Sequence, residues 1–372
     1  MNRTEFFSCP GCSTSYRNFL QNTLTDIVTW MHSRRKFLKA LGIGAVAPAI
    51  LLGQSVEPKR SRWEMIFGSP DTVKPEFAPN PASWDDSTIT AAWIGHATVL
   101  INFFGTKIIT DPVFSERIGL NILGLTTLGP KRLISPALSI KDLPPIDLIL
   151  LSHAHMDHLD IPSLERFAKS VPMVIAKNTA DVLENLGRKD VHELDWGEKM
   201  AVGGLEIEAL QVKHFGWRFP WEKDRSRGEW TGRSYNAYLL SRNGRHIVFG
   251  GDTAYQEYFK EVGRRNISID LAIMPIGAYD PWIFNHANPE QAVEMANHLG
   301  VRQIMPIHWR TFIQSDEPTM EPITRFKAAL EKTPERIALE SVGQTWTLDP
   351  KLAQVGNNHN SAIGQTLLFV QN

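Results

Sequence analysis

The chain has 372 residues, 42% of them hydrophobic, and 39 Lys and Arg against 40 Asp and Glu leave a formal net charge of −1. That apolar share supplies a substantial core, and the charge balance argues against nucleic acid as a main partner. Cysteine occurs only at Cys9 and Cys12, so the rest of the chain needs no disulfide and offers no thiolate nucleophile or ligand.

Residues 1–30 hold that Cys-Pro-Gly-Cys run, a spacing used by redox and zinc motifs. Its position ahead of a signal-like segment makes 1–30 a non-native or upstream extension, with Met31 as the expected start. Ser33-Arg34-Arg35-Lys36-Phe37-Leu38-Lys39 looks like a twin-arginine export motif, and an apolar stretch follows over 40–53. A membrane-spanning helix needs about 20 apolar residues, so 31–53 reads as a signal peptide. Ala45-Val46-Ala47 and Ala47-Pro48-Ala49 are the candidate cleavage sites. The expected partner is the twin-arginine export machinery, and the expected location the periplasm or cell envelope. Residues 54–83, rich in proline and polar residues, read as a linker wrapping onto the domain that follows over 84–350, and 351–372 as a loose tail.

Within the domain, 89–104 reads as strands around a turn at Gly95, and 107–110 as another strand. Residues 235–249 form a predicted hairpin around Asn243-Gly244, a strong turn signal. Helices are expected at 162–169, 179–187, 256–263, 289–299 and 322–331. The fourth is the best marked, with Asn288 as N-cap, Pro289 in the first turn and Gly300 past the end. The apolar run 118–128 suits a lid, a lipid-facing surface or a packing helix equally.

Between two of these elements lies Ser152-His153-Ala154-His155-Met156-Asp157-His158, directly after the apolar segment 146–151. In extended chain His153 and His155 point the same way. A turn after them lets Asp157 and His158 approach from a second direction, so one loop can grip two adjacent metals. Three further strand-like runs end in ligand-type residues: 205–212 leads to His214, 246–249 through Gly250-Gly251 to Asp252, and 303–307 to His308. Alone, His214 or His308 would be read as an ordinary core or surface histidine. Since residues from 153 to 308 must converge, one domain is expected rather than two.

The His-x-His-x-Asp-His run resembles the metallo-β-lactamase-fold hydrolases. The resemblance is closer still to the N-acyl-phosphatidylethanolamine-hydrolysing phospholipase D family. It is carried by Trp93-Ile94-Gly95-His96-Ala97-Thr98-Val99, Thr110-Asp111-Pro112-Val113-Phe114, Gly129-Pro130-Lys131-Arg132 and Leu143-Pro144-Pro145-Ile146-Asp147. It continues in Glu193-Leu194-Asp195-Trp196, Gly251-Asp252-Thr253, Pro275-Ile276-Gly277-Ala278-Tyr279 and Ile307-His308-Trp309, colinear from about Trp84 to Leu348. It implies an α/β (α+β) fold, a four-layer αββα sandwich. It also implies two metal ions per chain, with His153, His155 and His214 on one, Asp157, His158 and His308 on the other, and Asp252 bridging both; nitrogen and oxygen ligands of this kind suit two zinc ions, with iron or manganese as the alternatives. Such a pair lowers the pKa of a shared water to about 7. Asp111 is expected to orient a ligand, and His286 to contact substrate or leaving group, or else simply to precede the Asn288 cap. His96 is read as structural, in a turn beneath the site.

Two features depart from the family. The arginine that tends to follow the Ala278-Tyr279 segment is missing from Asp280-Pro281-Trp282, and the run 118–128 is a longer apolar insertion. Substrate selection is expected in 214–234, where Phe215, Trp217, Phe219, Trp221 and Trp230 interleave with Arg218, Lys223, Arg225, Arg227 and Arg233. Rings beside cations favour an amphiphile with an anionic head at a peripheral membrane contact. The alternative is a long loop folded on its own aromatic residues. Trp217, Arg218, Trp221 and Tyr279 are the substrate candidates, and Asp157, Asp252 and His286 the catalytic ones. The expected activity is phosphodiester hydrolysis of N-acyl-phosphatidylethanolamine or a related phospholipid. The alternatives are a lactonase or other ester or amide hydrolase, since fold does not set substrate, and a non-catalytic envelope binding protein.

Overall fold

Two runs of β-rich sequence, one in each half of the chain, build two mixed sheets in the computed structural model, which describes residues 61–122 and 126–349. The signal-like segment, the extension before it and the tail lie outside the described residues. In the first half, β1 (Ile89–Gly95), β2 (Thr98–Phe103) and β3 (Thr106–Thr110) form an antiparallel meander. β4 (Leu120–Ile122) and β5 (Thr126–Leu128) make a separate two-stranded ribbon, and β6 (Leu148–Leu150), β7 (Met173–Ala176) and β8 (Val191–Leu194) continue the first sheet in parallel. In the second half, β9 (Lys199–Val202), β10 (Leu205–Gln211), β11 (Asn236–Arg242) and β12 (Arg245–Phe249) are antiparallel, and β13 (Ile269–Pro275) and β14 (Gln303–Ile307) extend them in parallel. The last strand, β15 (Thr345–Thr347), returns to the open edge of β1. Both sheets thus run from an antiparallel side to a parallel side.

The parallel strands are apolar on both faces, as a sheet covered on both sides requires. Ile108, Leu148, Leu150 and Val174 join one large cluster with Ile207, Tyr238, Ile247, Phe249 and Ile273 of the second sheet. Their neighbours Ile109, Ile149, Leu151, Met173 and Ile175 face the other way, against Leu159, Leu164, Phe167, Leu183 and Leu186. Each such side chain contributes about 1.5–3 kcal/mol when fully buried. Five helices are described: α1 (Arg62–Phe67), α2 (Ile161–Leu164), α3 (Phe259–Gly263), α4 (Pro289–Leu299) and α5 (Glu321–Ala329). Ala292, Val293, Met295, Ala296 and Leu299 of α4 and Phe326 of α5 belong to the large cluster. The architecture is the αββα sandwich expected.

α4 matches its predicted span, with a full capping box between Asn288 and Gln291 and a left-handed Gly300. The other expected helices are shorter. Of 162–169 only Ile161–Leu164 is α-helical, and 179–187 becomes a 3₁₀ run, Ala180–Leu186, whose first amides are held by the Glu193 carboxylate. Both centres of the Asn243-Gly244 turn have positive φ, 53° and 68°, as a tight hairpin demands. Among the described residues of 118–128 there is no packing helix: Leu120–Ile122 and Thr126–Leu128 form the β4–β5 ribbon, with Leu120 and Ile122 exposed. Of the expected linker, 54–60 lie outside the described residues; within the remainder Val73 bridges to Ile134 through backbone bonds with Leu133 and Ser135. Among the described residues no helix is long and apolar enough to cross a membrane.

Candidate metal centre

Strand ends supply the site. Asp111 follows β3, the 152–158 loop follows β6, Asp252 follows β12 and His308 follows β14, while His214 lies just past β10. Ligands in open α/β sheets gather at these carboxyl ends. The approach of the two sheets requires Gly251, whose φ is +56°. A Cβ there would lie 2.7 Å from Ser152 Cβ and 2.8 Å from Asn236 O, a close passage open only to glycine.

Seven expected ligands converge in two buried groups. In one, His153 Nε2 and His214 Nε2 stand 2.7 and 3.3 Å from His155 Nδ1. The other brings together Asp157, His158, His308 and, unexpectedly, His96, whose Nε2 is 2.9 Å from Asp157 Oδ2. One oxygen of Asp252 lies between them. Its Oδ2 is 3.0 Å from His158 Nε2 and 3.2 Å from His308 Nε2 on one side, and 4.0 Å from His153 Nε2 and 3.9 Å from His214 Nε2 on the other.

Neighbouring groups fix which nitrogens face inward. Asp111 accepts from the Ser152 amide at 2.7 Å, the Ser152 hydroxyl at 2.6 Å and His158 Nδ1 at 2.7 Å. The Ser152 oxygen, having given its hydrogen to Asp111, accepts from His153 Nδ1 at 2.9 Å. His214 Nδ1 donates to the Asn285 carbonyl at 2.8 Å. Each of these bonds leaves Nε2 as the free donor pair, the arrangement by which outer partners orient metal-ligating histidines.

Several inward atoms have no hydrogen-bond partner although buried: His158 Nε2, both Asp252 oxygens and His286 Nδ1. Leaving so many buried polar atoms unpaired is costly, and nitrogen and carboxylate donors of this kind suit a transition-metal ion. The donor set fits the group that the sequence implies. Burial keeps His153, His155 and His214 neutral by lowering their pKa, for the first two well below the usual value. Burial works the same way on His158 and His308, but Asp252 and Asp157 outweigh it, raising His158 well above the ordinary value and His308 to about 9. Burial would raise Asp252, yet His158, His308 and His286 hold it well below the usual carboxylate range.

A cavity of about 500 Å³ opens over this floor, and Phe215, Trp217, Trp282, Asn285 and His286 line it. His286 points its Nδ1 toward Asp252 Oδ2 at 3.8 Å, and burial lowers its pKa to about 3. Of the substrate candidates only Trp217 and Arg218 reach the cavity. Arg218 is already engaged, donating to the Ala154 and Leu159 carbonyls at 2.8 Å each, so it braces the metal loop. Trp221 is 79% exposed and stacks on Phe219 outside the cavity. Tyr279 is buried away from it, its hydroxyl on Glu321 and its ring under Arg325. In the same segment Arg233 pairs with Asp181 and Glu222, and Arg225 with Asp195 and the Trp196 ring.

Three functional positions were missed in the sequence. Ser152 relays Asp111 to His153 and could have been suspected from its place between strand and ligand. Asp224, fully buried, folds the 214–234 loop by accepting from the amides of Gly216, Trp217 and Ser226. Gln314, on the cavity wall, donates to Asp157 Oδ2 at 2.7 Å; no local signal marks it.

Residues 106–309 match the family model of the beta-lactamase superfamily domain. An uncharacterized protein of Mycobacterium tuberculosis is 31% identical over 298 residues, 76% of this chain and 76% of that protein. The N-acyl-phosphatidylethanolamine-hydrolyzing phospholipase D 1 of Caenorhabditis elegans is 32% identical over 263 residues, 66% of this chain and 71% of its own length. Among solved structures, the isothiocyanate hydrolase from Delia radicum gut bacteria superimposes with a TM-score of 0.54 at 18% identity, over 69% of this chain and 98% of that one, a likeness of fold. With a family match over more than half its length and a His/Asp centre that fits metal, the chain belongs to the metallo-β-lactamase superfamily as a metal-dependent hydrolase, related to the N-acyl-phosphatidylethanolamine-hydrolysing phospholipases D.

Proposed function

We propose that this protein is a dinuclear zinc phosphodiesterase of the phospholipase D type. It would cleave N-acyl-phosphatidylethanolamine or a related phospholipid after twin-arginine export to the periplasm or cell envelope. One observation carries the two-metal reading: a single Asp252 oxygen sits within 4.0 Å of nitrogens from both histidine groups. His153, His155 and His214 would hold one ion, Asp157, His158 and His308 the other, and Asp252 both. When bound, such a pair supplies Lewis acidity and an activated water. The chain's own residues do the rest. Asp111 and Ser152 hold His158 and His153 with Nε2 inward. His286, kept neutral by burial, faces the cavity as a hydrogen-bonding partner for the leaving group rather than as a cationic acid. Phe215, Trp217 and Trp282 offer apolar walls to a substrate with acyl chains. The phospholipid reading draws further support from the named C. elegans relative.

Ester or lactone hydrolysis is the second reading, favoured because no uncommitted arginine lines the cavity among the described residues, Arg218 being spent on backbone carbonyls. Product analysis separates the two. Metal-loaded enzyme acting on phospholipid in detergent micelles should release phosphatidic acid and the free head group. Ready lactone opening with no phosphatidic acid from any phospholipid would leave only the hydrolase fold. The metal reading is tested by elemental analysis: about two zinc ions per chain are expected, with both weakened in Asp252→Ala. Export is tested by replacing Arg34 and Arg35 with lysine, which should retain an active enzyme in the cytoplasm.

A further inference from the structure

Asp157 carries an unusual load. Four nitrogens surround its Oδ2: Gln314 Nε2 at 2.7 Å, His96 Nε2 at 2.9 Å, His308 Nε2 at 3.3 Å and His158 Nε2 at 3.4 Å. The last two belong to the proposed ligand set, but Gln314 and His96 do not. An amide nitrogen can only donate, so Gln314 occupies one acceptor direction of this oxygen whatever else binds.

His96 is aimed at the same atom by its backbone. It adopts a left-handed conformation, φ 55°, rarely taken by a residue other than glycine. Three hydrogen bonds hold it there: its amide donates to Thr311 Oγ1 at 2.9 Å, and its carbonyl accepts from the Trp93 indole at 2.8 Å and the His308 amide at 3.1 Å. Thr311 and Gln314 lie in one short segment after His308, so a single stretch of chain anchors both donors.

We infer that His96 and Gln314 are positioning residues: as paired N–H donors they hold the Asp157 carboxylate toward His158 and His308, and so set the affinity of the second metal position while leaving the first alone. This rests on the two-metal reading above. Neither residue need touch substrate for it to hold.

The test is a stepwise Co²⁺ titration of the metal-free full chain, followed by its visible absorption and by chelator competition, giving one affinity for each position. Gln314→Met keeps the length of the side chain and removes the donor; His96→Phe keeps a ring and removes the nitrogen. Each should weaken the second Co²⁺ at least about tenfold and leave the first within about twofold. His96→Gln, which restores an N–H, should recover most of the loss. If His96→Phe does not fold, Gln314→Met carries the test, because its side chain borders the cavity. Unchanged second-site affinity overturns the inference, as does equal weakening of both sites or a change in KM alone. A wild-type chain that takes up only one Co²⁺ overturns the two-metal reading, and the inference with it.

Discussion

Asp111 bonds to neither Asp157 nor Asp252, yet it orders both metal groups. Its carboxylate accepts a hydrogen bond from His158 Nδ1 directly and from the Ser152 hydroxyl, whose oxygen accepts in turn from His153 Nδ1, so one side chain keeps Nδ1 the donor in a ligand of each group. Asp111→Asn would put an amide donor where hydrogens must be accepted, and it should lower metal affinity about 10–100-fold at both positions, measured by chelator competition. His158 and His308 give a second prediction. Their pKa values are raised in the metal-free protein, that of His308 to about 9, so at neutral pH both carry a proton that an ion must displace. Loading at pH 7.5 should release about two protons per chain from these histidines, in addition to the proton lost by a metal-bound water of pKa about 7, and affinity should fall steadily as pH drops below about 9. A weakly buffered indicator titration showing no release would contradict the raised values. The group formed by His153, His155 and His214, neutral already, adds no comparable release.

At the scale of elements, the 214–234 segment combines the two readings open in the sequence. Asp224, Arg225 and Arg233 are spent on folding the loop, whereas Phe215 and Trp217 reach the cavity and Trp221 stands outside it. Trp221→Ala should therefore reduce action on phospholipid vesicles severalfold without changing turnover of a small soluble phosphodiester, since it removes interfacial contact only. Trp217→Ala should reduce both. Equal loss on both substrates in Trp221→Ala would place that ring in the reaction itself. Ligands were legible in the sequence because each follows an apolar strand, and the strand period carries it to the sheet's edge. α4 was legible because Asn288, Pro289 and Gly300 punctuate it locally. That Arg218 is engaged at the cavity and Tyr279 lies away from it could not be read locally, because their partners, the Ala154 and Leu159 carbonyls and Glu321, are distant in sequence. His96 and Gln314 escaped for the same reason: a donor's worth depends on an acceptor supplied by another loop. The ribbon at β4–β5 looked like any apolar run until its pairing was seen.

For the molecule as a whole, the centre joins two halves of the chain. His153, His155, Asp157 and His158 leave the first sheet, and His214, Asp252 and His308 the second. Beyond Cys12 there is no cysteine, so the domain has no disulfide to restrain it. Metals shared across the sheets would act as its cross-links, closing chain loops long enough that a covalent bridge of similar span is worth on the order of 4–5 kcal/mol. Chelation should accordingly lower the melting temperature by several degrees and let the two sheets exchange amide hydrogens at diverging rates. A chain stapled in this way becomes most rigid only once its ions are aboard. Under the export proposed above, the metal inventory of the compartment of synthesis, rather than that of the destination, would then decide how robust the cargo is on arrival.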